Sequence, residues 1–282
     1  MSDQIDDIIR RALAEDAPWG DVTSETFLPA EAVASAALVA REPGVFSGGD
    51  IFARTFELVD GDVTVEVTRA DGAAFEPGDV LARVEGSARS VLRGERIALN
   101  LVQRMSGIAT LTARYVEAVT GTGARIVDTR KTTPGLRILE RQAVRDGGGR
   151  NHRHSLSDAV MAKDNHLAVL AAAGVPIGDA IRAARARIGH TVHLEVEVDR
   201  IAQIEEVVTA GVDTIMLDNF GPDELREGVA LVAGRALVEA SGGVNLDTVR
   251  AIAETGVDVI SVGALTHSVR SLDLGLDVTV AG

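Results

Sequence analysis

The chain of 282 residues contains no cysteine. Disulfide bonds, thiolate metal sites and cysteine nucleophiles are therefore excluded. The chain also has few cationic residues relative to acidic ones, so its formal net charge is −14 and its pI is about 4.9. A protein that binds the phosphate backbone of a nucleic acid needs a basic face over most of the contact area, so we expect no nucleic-acid partner.

Long apolar runs are missing as well. The longest apolar-biased stretch, Leu167–Gly178, is too short to span a bilayer. The N-terminal segment is acidic and amphipathic, unlike the basic start of a signal peptide. We therefore expect a cytoplasmic protein without a membrane partner.

Lysine is nearly absent from the chain. Of the 28 cationic side chains only Lys131 and Lys163 are lysines, and both fall at predicted strand ends within Val127–His166. Between Arg125 and Arg153 there are eight Arg or Lys residues against three acidic ones. Ammonium groups are usual partners of phosphates and of groups in tight sites. The pattern indicates a small polyanionic substrate; codon bias combined with chance is the alternative.

Hydrophobic periodicity divides the chain into two parts. The first opens with an amphipathic helix, has a loop at Asp21–Ser24, and then shows apolar residues with a period of two between turn signals. This pattern predicts a small α+β domain followed by a long helix. The predicted strands are Ala36–Ala40, Val63–Val67 and Val80–Val84, and the predicted helices are Ile51–Val59 and Ser90–Thr120.

From Gly121 onward short apolar strands alternate with helices, which predicts a parallel sheet with right-handed crossovers. The predicted strands are Arg125–Asp128, Ala159–Lys163, Thr191–Val198, Thr214–Leu217, Ala236–Ala240 and Val259–Val262. A closed barrel of this kind needs about eight strands. The fold class is therefore α/β, an open or incomplete (β/α) barrel with an N-terminal α+β sandwich domain. The expected domain limits are 1–112, 113–267 and 268–282, the last being a tail that packs on the N-terminal domain.

Side chains at the carboxyl ends of parallel barrel strands point into one site. The predicted ends carry two cations, two carboxylates and two small residues: Lys131, Lys163, Glu195, Asp218, Ser241 and Gly263. Glu195 and Asp218 could hold Mg²⁺ through water or stabilise a developing positive charge. A salt bridge at the strand end is the alternative for either carboxylate.

Two loops after the last strands favour phosphate binding. Ser241-Gly242-Gly243 and Gly263-Ala264 each follow a strand, and glycine lets the backbone N–H groups approach an anion closely. The six histidines lack the spacing and the carboxylate context of a zinc site, so a His-ligated metal is not expected.

An ordered series of motifs runs along nearly the whole chain. The motifs are Glu15-Asp16, Gly20–Thr23, Asn100–Thr110, Asp128–Gly135, Gly147–Leu156, Lys163–His166, Leu194–Glu197, Met216–Asn219, Glu239–Gly243 and Ser261–His267. In these motifs the chain resembles quinolinate phosphoribosyltransferase, the decarboxylating enzyme that makes nicotinate mononucleotide.

The resemblance implies an N-terminal α/β sandwich domain, an open α/β barrel, and a homodimer or an oligomer of dimers in which Arg104 reaches across the interface. It implies quinolinate contacts from Thr129, Arg130, His152, Arg153 and Lys163. It implies contacts to phosphoribosyl pyrophosphate (PRPP) from Lys131, Lys163, Glu195, Asp218, Ser241, Gly242, Gly243, Val262, Gly263 and Ala264, with Mg²⁺ beside the diphosphate. Lys131, Lys163, Glu195 and Asp218 match the residues that carry the chemistry.

The implied activity is transfer of phosphoribosyl from PRPP to quinolinate with loss of CO₂, a step of NAD biosynthesis. An enzyme of the same fold that uses nicotinate or another acid is one alternative, and a phosphate-ligand sensor on a barrel scaffold is another. Quinolinate has a second adjacent carboxylate that needs extra cations. Arg104, Arg130 and Arg153 supply them, which favours quinolinate.

Overall fold

A computed structural model describes residues 3–279, and the chain forms two compact units. The first takes the described residues up to Ala113, then Thr132–Gly148 and those from Leu265 onward; the second takes Arg114–Lys131 and Gly149–Ala264. These limits differ from the expected domain limits of 1–112, 113–267 and 268–282, because residues 132–148 return to the first unit.

The first unit is built on a four-stranded antiparallel sheet in the order β12-β1-β5-β3, with a small β2-β4 pair. Its strands are β1 (Val33–Ala40), β2 (Gly44–Val45), β3 (Thr64–Val67), β4 (Ala74–Phe75), β5 (Val80–Ser87) and β12 (Leu274–Thr279). Its helices are α1 (Asp3–Asp16), α2 (Val22–Phe27), α3 (Gly49–Val59), α4 (Ala88–Ala118), α5 (Arg137–Asp146) and α11 (Ala264–His267), although the last residues of α4 and the first of α11 belong to the second unit.

Alternate residues of β1 contribute their side chains to the core of the first unit. Ala36, Leu38 and Ala40 are buried on one face of the strand, against Phe52 and Phe56 of α3. Burial of such apolar area stabilises the unit. Asp21–Ser24 was expected as a loop, and this expectation was wrong: Asp21 accepts hydrogen bonds from two backbone N–H groups and starts α2.

Segment 132–148 belongs to the first unit through contacts that are distant in sequence. The Ser47 hydroxyl donates to Asp146 Oδ2 at 2.6 Å. A Cβ atom at Gly147 would lie 2.4 Å from the Ala109 carbonyl oxygen, so only glycine fits there. Helix α5 occupies most of this segment.

The end of the chain returns to the same unit. β12 pairs antiparallel with β1 over Ser35–Ala40, and the Leu272 N–H donates to the Gln103 carbonyl of α4 at 3.0 Å. The expected tail, 268–282, includes this strand, while residues 280–282 lie outside the described part of the chain.

The second unit is a six-stranded parallel sheet in the order β6-β11-β10-β9-β8-β7. Its strands are β6 (Arg125–Val127), β7 (Val160–Ala162), β8 (Leu194–Val198), β9 (Thr214–Asp218), β10 (Leu237–Ser241) and β11 (Val259–Ser261). Its helices are α6 (Asp164–Ala172), α7 (Ile177–Arg187), α8 (Ile204–Thr209), α9 (Pro222–Val232) and α10 (Val249–Ala253). Within residues 3–279, β6 and β7 do not pair with each other, so the sheet is an open barrel and the predicted fold class is confirmed.

No single helix in the described part of the chain is long and apolar enough to cross a membrane. By length and composition, only α6 and α7 taken together would qualify, and these two helices are bent by 109° where they meet.

Gly107 of α4 provides a test of packing in the first unit. A Cβ atom there would lie 2.2 Å from the Arg270 carbonyl oxygen, and no side-chain rotation relieves a clash with backbone. We expect Gly107→Ala to lower the free energy of unfolding by about 1–3 kcal/mol, despite the better helix propensity of alanine. Denaturant unfolding measures the change. Gly61→Ala, with no atom within 4 Å of its Cβ, is the control; equal stability of the two variants would contradict the packing.

Candidate active site

A cavity of about 400 Å³ opens in the second unit. It is lined by cationic, acidic and small polar side chains together with two methionines: Thr129, Arg130, Lys131, His152, Arg153, Met161, Lys163, Glu197, Met216, Asp218, Glu239, Ser241 and Ser261. Both lysines of the chain are among them. Arg130 and Lys131 follow β6, Arg153 lies between α5 and β7, and Lys163 follows β7. The four cations of the predicted cluster therefore lie in one cavity.

A buried carboxylate that follows β6 holds the segment that carries His152 and Arg153. Asp128, which is fully buried, accepts hydrogen bonds from the Asn151 side chain at 2.6 Å and from the His152 N–H at 2.7 Å. The Arg150 N–H donates to the Ile126 carbonyl of β6 at 2.9 Å. The segment that carries His152 and Arg153 is therefore held along the edge of the sheet.

Lys163 lies where β7 gives way to α6. Its N–H donates to Nδ1 of His166 at 3.0 Å, which caps the helix. Its ammonium group forms an ion pair with Oε2 of Glu197, and the lysine side chain is 44% exposed. The cation is thus positioned by a partner on β8 while it still faces solvent.

The carboxylate on the cavity side of β8 is Glu197, and Glu195 does not line the cavity. Side chains two residues apart on a strand share a face, but they lie at different depths along it. Glu197 pairs in register with Met216 of β9, which also lines the cavity, whereas Glu195 pairs with Thr214 one layer below. The structure therefore places Glu195 under the cavity and not at the strand end where it was predicted.

Glu195 belongs to a buried cluster with His152 and Glu239. Nε2 of His152 lies 3.3 Å from Oε2 of Glu195 and 3.4 Å from Oε2 of Glu239. Both carboxylates are 3% exposed. The three groups are close enough to hold a metal ion by distance alone, which the absence of zinc-like spacing in the sequence did not reveal.

Two groups of the cluster, His152 and Glu195, have a raised pKa. Burial disfavours the imidazolium of His152, but the hydrogen bonds to Glu195 and Glu239 outweigh this and raise its pKa to about 10. Burial also raises the pKa of Glu195, and the neighbouring Glu239 adds to this. The Arg153 N–H donates to Nδ1 of His152 at 2.7 Å, which requires an unprotonated Nδ1. In the neutral ring this contact places the proton on Nε2, which faces Glu195 and Glu239.

Arg153 sits among like charges. Its guanidinium donates to the Ala159 carbonyl oxygen at 3.1 Å. Burial, followed by the charge of Arg130, lowers the pKa of Arg153. Two arginines held close together in a half-buried site are suited to an anion with more than one carboxylate.

The strand-end loops were predicted as phosphate contacts, and only part of them reaches the cavity. Of the predicted loop residues Ser241 lines the cavity, whereas Gly242, Gly243, Val262, Gly263 and Ala264 do not. Asp218, predicted at the end of β9, lines it as well. Gly242 adopts a left-handed conformation with φ of 89°, and a Cβ there would lie 2.1 Å from Oδ1 of Asn219. Only glycine at position 242 allows the loop after β10 to approach the loop after β9 this closely.

Arg104 makes its contacts within the first unit. Its Nε donates to Oε1 of Glu140 at 2.9 Å, and its Nη2 donates to the Thr133 hydroxyl at 2.7 Å and to the Thr266 carbonyl at 2.9 Å. Among residues 3–279, Nη1 has no hydrogen-bond partner. Its predicted reach across a dimer interface stays a prediction.

Sequence reasoning missed several cavity residues. These are Met161, Glu197, Met216, Glu239 and Ser261. All of them lie on strands, and four belong to the motifs that carried the resemblance. The available signal was their position on the same strand face as, or next to, a residue already chosen.

This geometry defines a class of protein, the α/β proteins with a cation-rich cavity at the carboxyl ends of an open barrel. A family model described as "Quinolinate phosphoribosyl transferase, C-terminal domain" matches residues 108–277, and its N-terminal counterpart matches residues 21–106. The chain belongs to the quinolinate phosphoribosyl transferase family, as the sequence predicted.

Named relatives agree over nearly the whole chain. A Mycobacterium leprae protein named nicotinate-nucleotide pyrophosphorylase (carboxylating) is 45% identical, over 96% of this chain and 96% of its own. A Bacillus subtilis protein with the same name, qualified as probable, is 43% identical, over 99% of this chain and 94% of its own. The crystal structure of NadC from Streptococcus pyogenes is similar with a TM-score of 0.94 and 42% identity, covering 99% of this chain and 98% of its own.

The buried partner of Arg104 gives a stability prediction. Glu140 is 1% exposed and accepts hydrogen bonds from Arg104 and from the Thr133 N–H. Removal of one partner leaves the other charge without compensation. We therefore expect Glu140→Leu to lower the free energy of unfolding by about 3–5 kcal/mol. Thermal and denaturant unfolding measure the loss. Glu205→Leu, which breaks an exposed pair with Arg235, should change stability far less; a similar loss in both would contradict the assignment.

Proposed function

We propose that this chain transfers the phosphoribosyl group of PRPP to quinolinate with decarboxylation, giving nicotinate mononucleotide, CO₂ and diphosphate in NAD biosynthesis. The observation that carries the proposal is the cavity in the second unit, where Arg130, Lys131, Arg153 and Lys163 meet in a chain of net charge −14. The names of the relatives support it.

The cation types suit the two substrates. Quinolinate carries two adjacent carboxylates, and the planar guanidinium forks of Arg130 and Arg153 match carboxylate geometry. PRPP carries a diphosphate and a 5′-phosphate, for which the compact ammonium groups of Lys131 and Lys163 are suited. His152 lies beside Arg153 on the same segment and completes the wall for the pyridine ring.

The oxygen donors of Asp218 and Glu197 both face the cavity, and a set of carboxylate oxygens fits Mg²⁺. We infer that these two residues hold the ion, directly or through water, with Glu197 in the role predicted for Glu195. The ion would offset the charge of the diphosphate.

The reaction needs positioning and charge stabilisation and no protein nucleophile. The bond from C1′ to the diphosphate breaks, and the pyridine nitrogen of quinolinate bonds to C1′. The carboxylates of Asp218 and Glu197 stabilise positive charge on the ribose, and Lys131 and Lys163 stabilise the departing diphosphate. The cationic ring then loses the carboxylate next to nitrogen as CO₂, and the electron pair left on that carbon takes a proton.

Arg104 enters the proposal as a residue supplied across the interface of a homodimer. Two observations support this role: Nη1 has no hydrogen-bond partner among residues 3–279, and the other donors of Arg104 have fixed partners. The homodimer, a higher oligomer of dimers and a cytoplasmic location remain predictions from the sequence.

Lys131 tests the proposed chemistry. We expect Lys131→Ala to lower kcat/KM for nicotinate mononucleotide formation by roughly 10²-fold or more, because a cation on the departing group is lost. Circular dichroism should show an intact fold. The assay follows CO₂ and nicotinate mononucleotide from quinolinate, PRPP and Mg²⁺. Arg187→Ala, on α7 and outside the cavity lining, should retain activity. Unchanged turnover in Lys131→Ala would refute the role.

Substrate choice is tested by a direct comparison. The wild-type protein should turn over quinolinate at least about 10²-fold more efficiently than nicotinate, because nicotinate lacks the second carboxylate that the arginines of the cavity would bind. The measurement is kcat/KM for each acid with saturating PRPP. Equal values would favour the nicotinate alternative, and PRPP binding without CO₂ release would favour a sensor.

A further inference from the structure

Two carboxylates of the buried cluster beside the cavity, Glu195 and Glu239, have no role in the proposed chemistry as described so far. The cluster contains His152, Glu195 and Glu239, and only His152 and Glu239 line the cavity. Oε1 of Glu195 and Oε1 of Glu239 have no hydrogen-bond partner among the described residues. Two buried carboxylates side by side are costly, so their retention calls for a physical reason.

One reason would be a metal ion, and the hydrogen bonding of the ring opposes it. A metal on Nε2 of a neutral imidazole requires the ring proton on Nδ1. Nδ1 instead accepts the Arg153 N–H at 2.7 Å, so the ring proton is on Nε2, between the two carboxylates. The cluster is therefore arranged to hold the Nε2 proton of His152 and not a metal ion.

We propose that Glu195 and Glu239 are positioning residues that together hold the His152 ring through Nε2–H and, through Nδ1, hold the backbone of Arg153 in the quinolinate site. The inference rests on the proposed function, since it assigns His152 and Arg153 to quinolinate. It concerns the part of the cavity proposed to bind quinolinate and not Lys131 and Lys163, which are proposed to bind PRPP.

The contacts form a continuous chain. Glu195 and Glu239 come from β8 and β10, with β9 between them, so they approach Nε2 from two separate strands and define the ring plane. The opposite ring nitrogen accepts the Arg153 N–H, and the Arg153 guanidinium is held by the Ala159 carbonyl. Loss of either carboxylate frees the ring to rotate, and the position of Arg153 changes with it.

Glu195 provides the sharper variant because it does not reach the cavity. We expect Glu195→Leu to raise KM and Kd for quinolinate by roughly tenfold or more, since small displacements of a binding group are costly. The KM for PRPP should stay within about twofold. Glu195→Gln keeps an acceptor oxygen and should restore most of the quinolinate affinity. Glu239→Leu and Glu239→Gln should reproduce the pattern.

A matched control separates positioning from general loosening of the sheet. Asp258 accepts the Val238 N–H at 2.8 Å, one residue before Glu239 in β10, and does not line the cavity. Asp258→Asn should lower the melting temperature without a selective effect on quinolinate. If the Glu195 variants weaken both substrates equally, as a structural defect would, the proposal is overturned.

A spectroscopic measurement on substrate-free protein does not depend on activity. In ¹⁵N-labelled wild type, the His152 ring, assigned by its absence in His152→Asn, should show a protonated Nε2 and an acceptor Nδ1. Glu195→Leu should change this signature and Asp258→Asn should not. A wild-type ring with its proton on Nδ1, or displacement of the Nε2 proton by one equivalent of Zn²⁺, would overturn the proposal even if the variants failed to fold.

The two levels of the proposal fail in different ways. If wild type forms no nicotinate mononucleotide from quinolinate and PRPP, the proposed function fails, while the ring signature still reports whether the carboxylates hold His152. If wild type is active and Glu195→Leu binds quinolinate normally, only the positioning role fails.

Discussion

The carboxylate of Asp128 is the interaction on which the site depends. It follows β6, a strand of three residues at the edge of the sheet, and it is fully buried. Its hydrogen bonds to Asn151 and to the His152 N–H are each worth about 1.5–3 kcal/mol, as is usual for a charged acceptor. Without them the segment after Gly147–Gly149 would be held by its backbone hydrogen bonds at Arg150 alone, and ordering of the residues that follow would oppose ligand binding.

The charges of the second unit are arranged in layers. Arg130, Lys131, Arg153 and Lys163 line the cavity, and Glu195 lies beneath it. Like charges in a half-buried site repel, which is why Arg130 adds to the effect of burial in lowering the pKa of Arg153. The acidic cluster below partly offsets that repulsion. A chain with a net charge of −14 can therefore present a positive cavity without a basic surface.

The sequence predicted the fold because its strands are short apolar runs between clear stop signals. All six strands of the sheet overlap their predicted spans, and their number indicated an open barrel. The division into units was less accessible, because residues 132–148 join the first unit through pairs such as Ser47 and Asp146, 99 residues apart. Helix α2 was missed because the cap, Asp21, is followed by two β-branched residues that disfavour helix on propensity alone.

The cations of the cavity could be predicted from the composition and from their positions in the sequence. The depth of the carboxylates along their strands could not. A period of two residues assigns Glu195 and Glu197 to one face of β8, but it gives no information on which of them reaches the cavity. That depends on register with β9, where Met216 pairs with Glu197 and with Glu239. Glu239 was overlooked because it lies inside a strand, between the apolar Val238 and Ala240, and away from the predicted end.

Two ion pairs of this chain differ in a way that matches their proposed uses. Glu140 is buried and binds Arg104 together with a backbone N–H, so the arginine keeps one orientation. The pair of Lys163 with Glu197 joins a lysine side chain that is 44% exposed to a carboxylate side chain that is 11% exposed. A phosphate can approach the ammonium group from solvent, but loss of the pair would leave a nearly buried carboxylate without its partner. In the proposed mechanism the Mg²⁺ ion would compensate Glu197 when Lys163 binds a phosphate, whereas Glu140 would keep Arg104 in one orientation throughout.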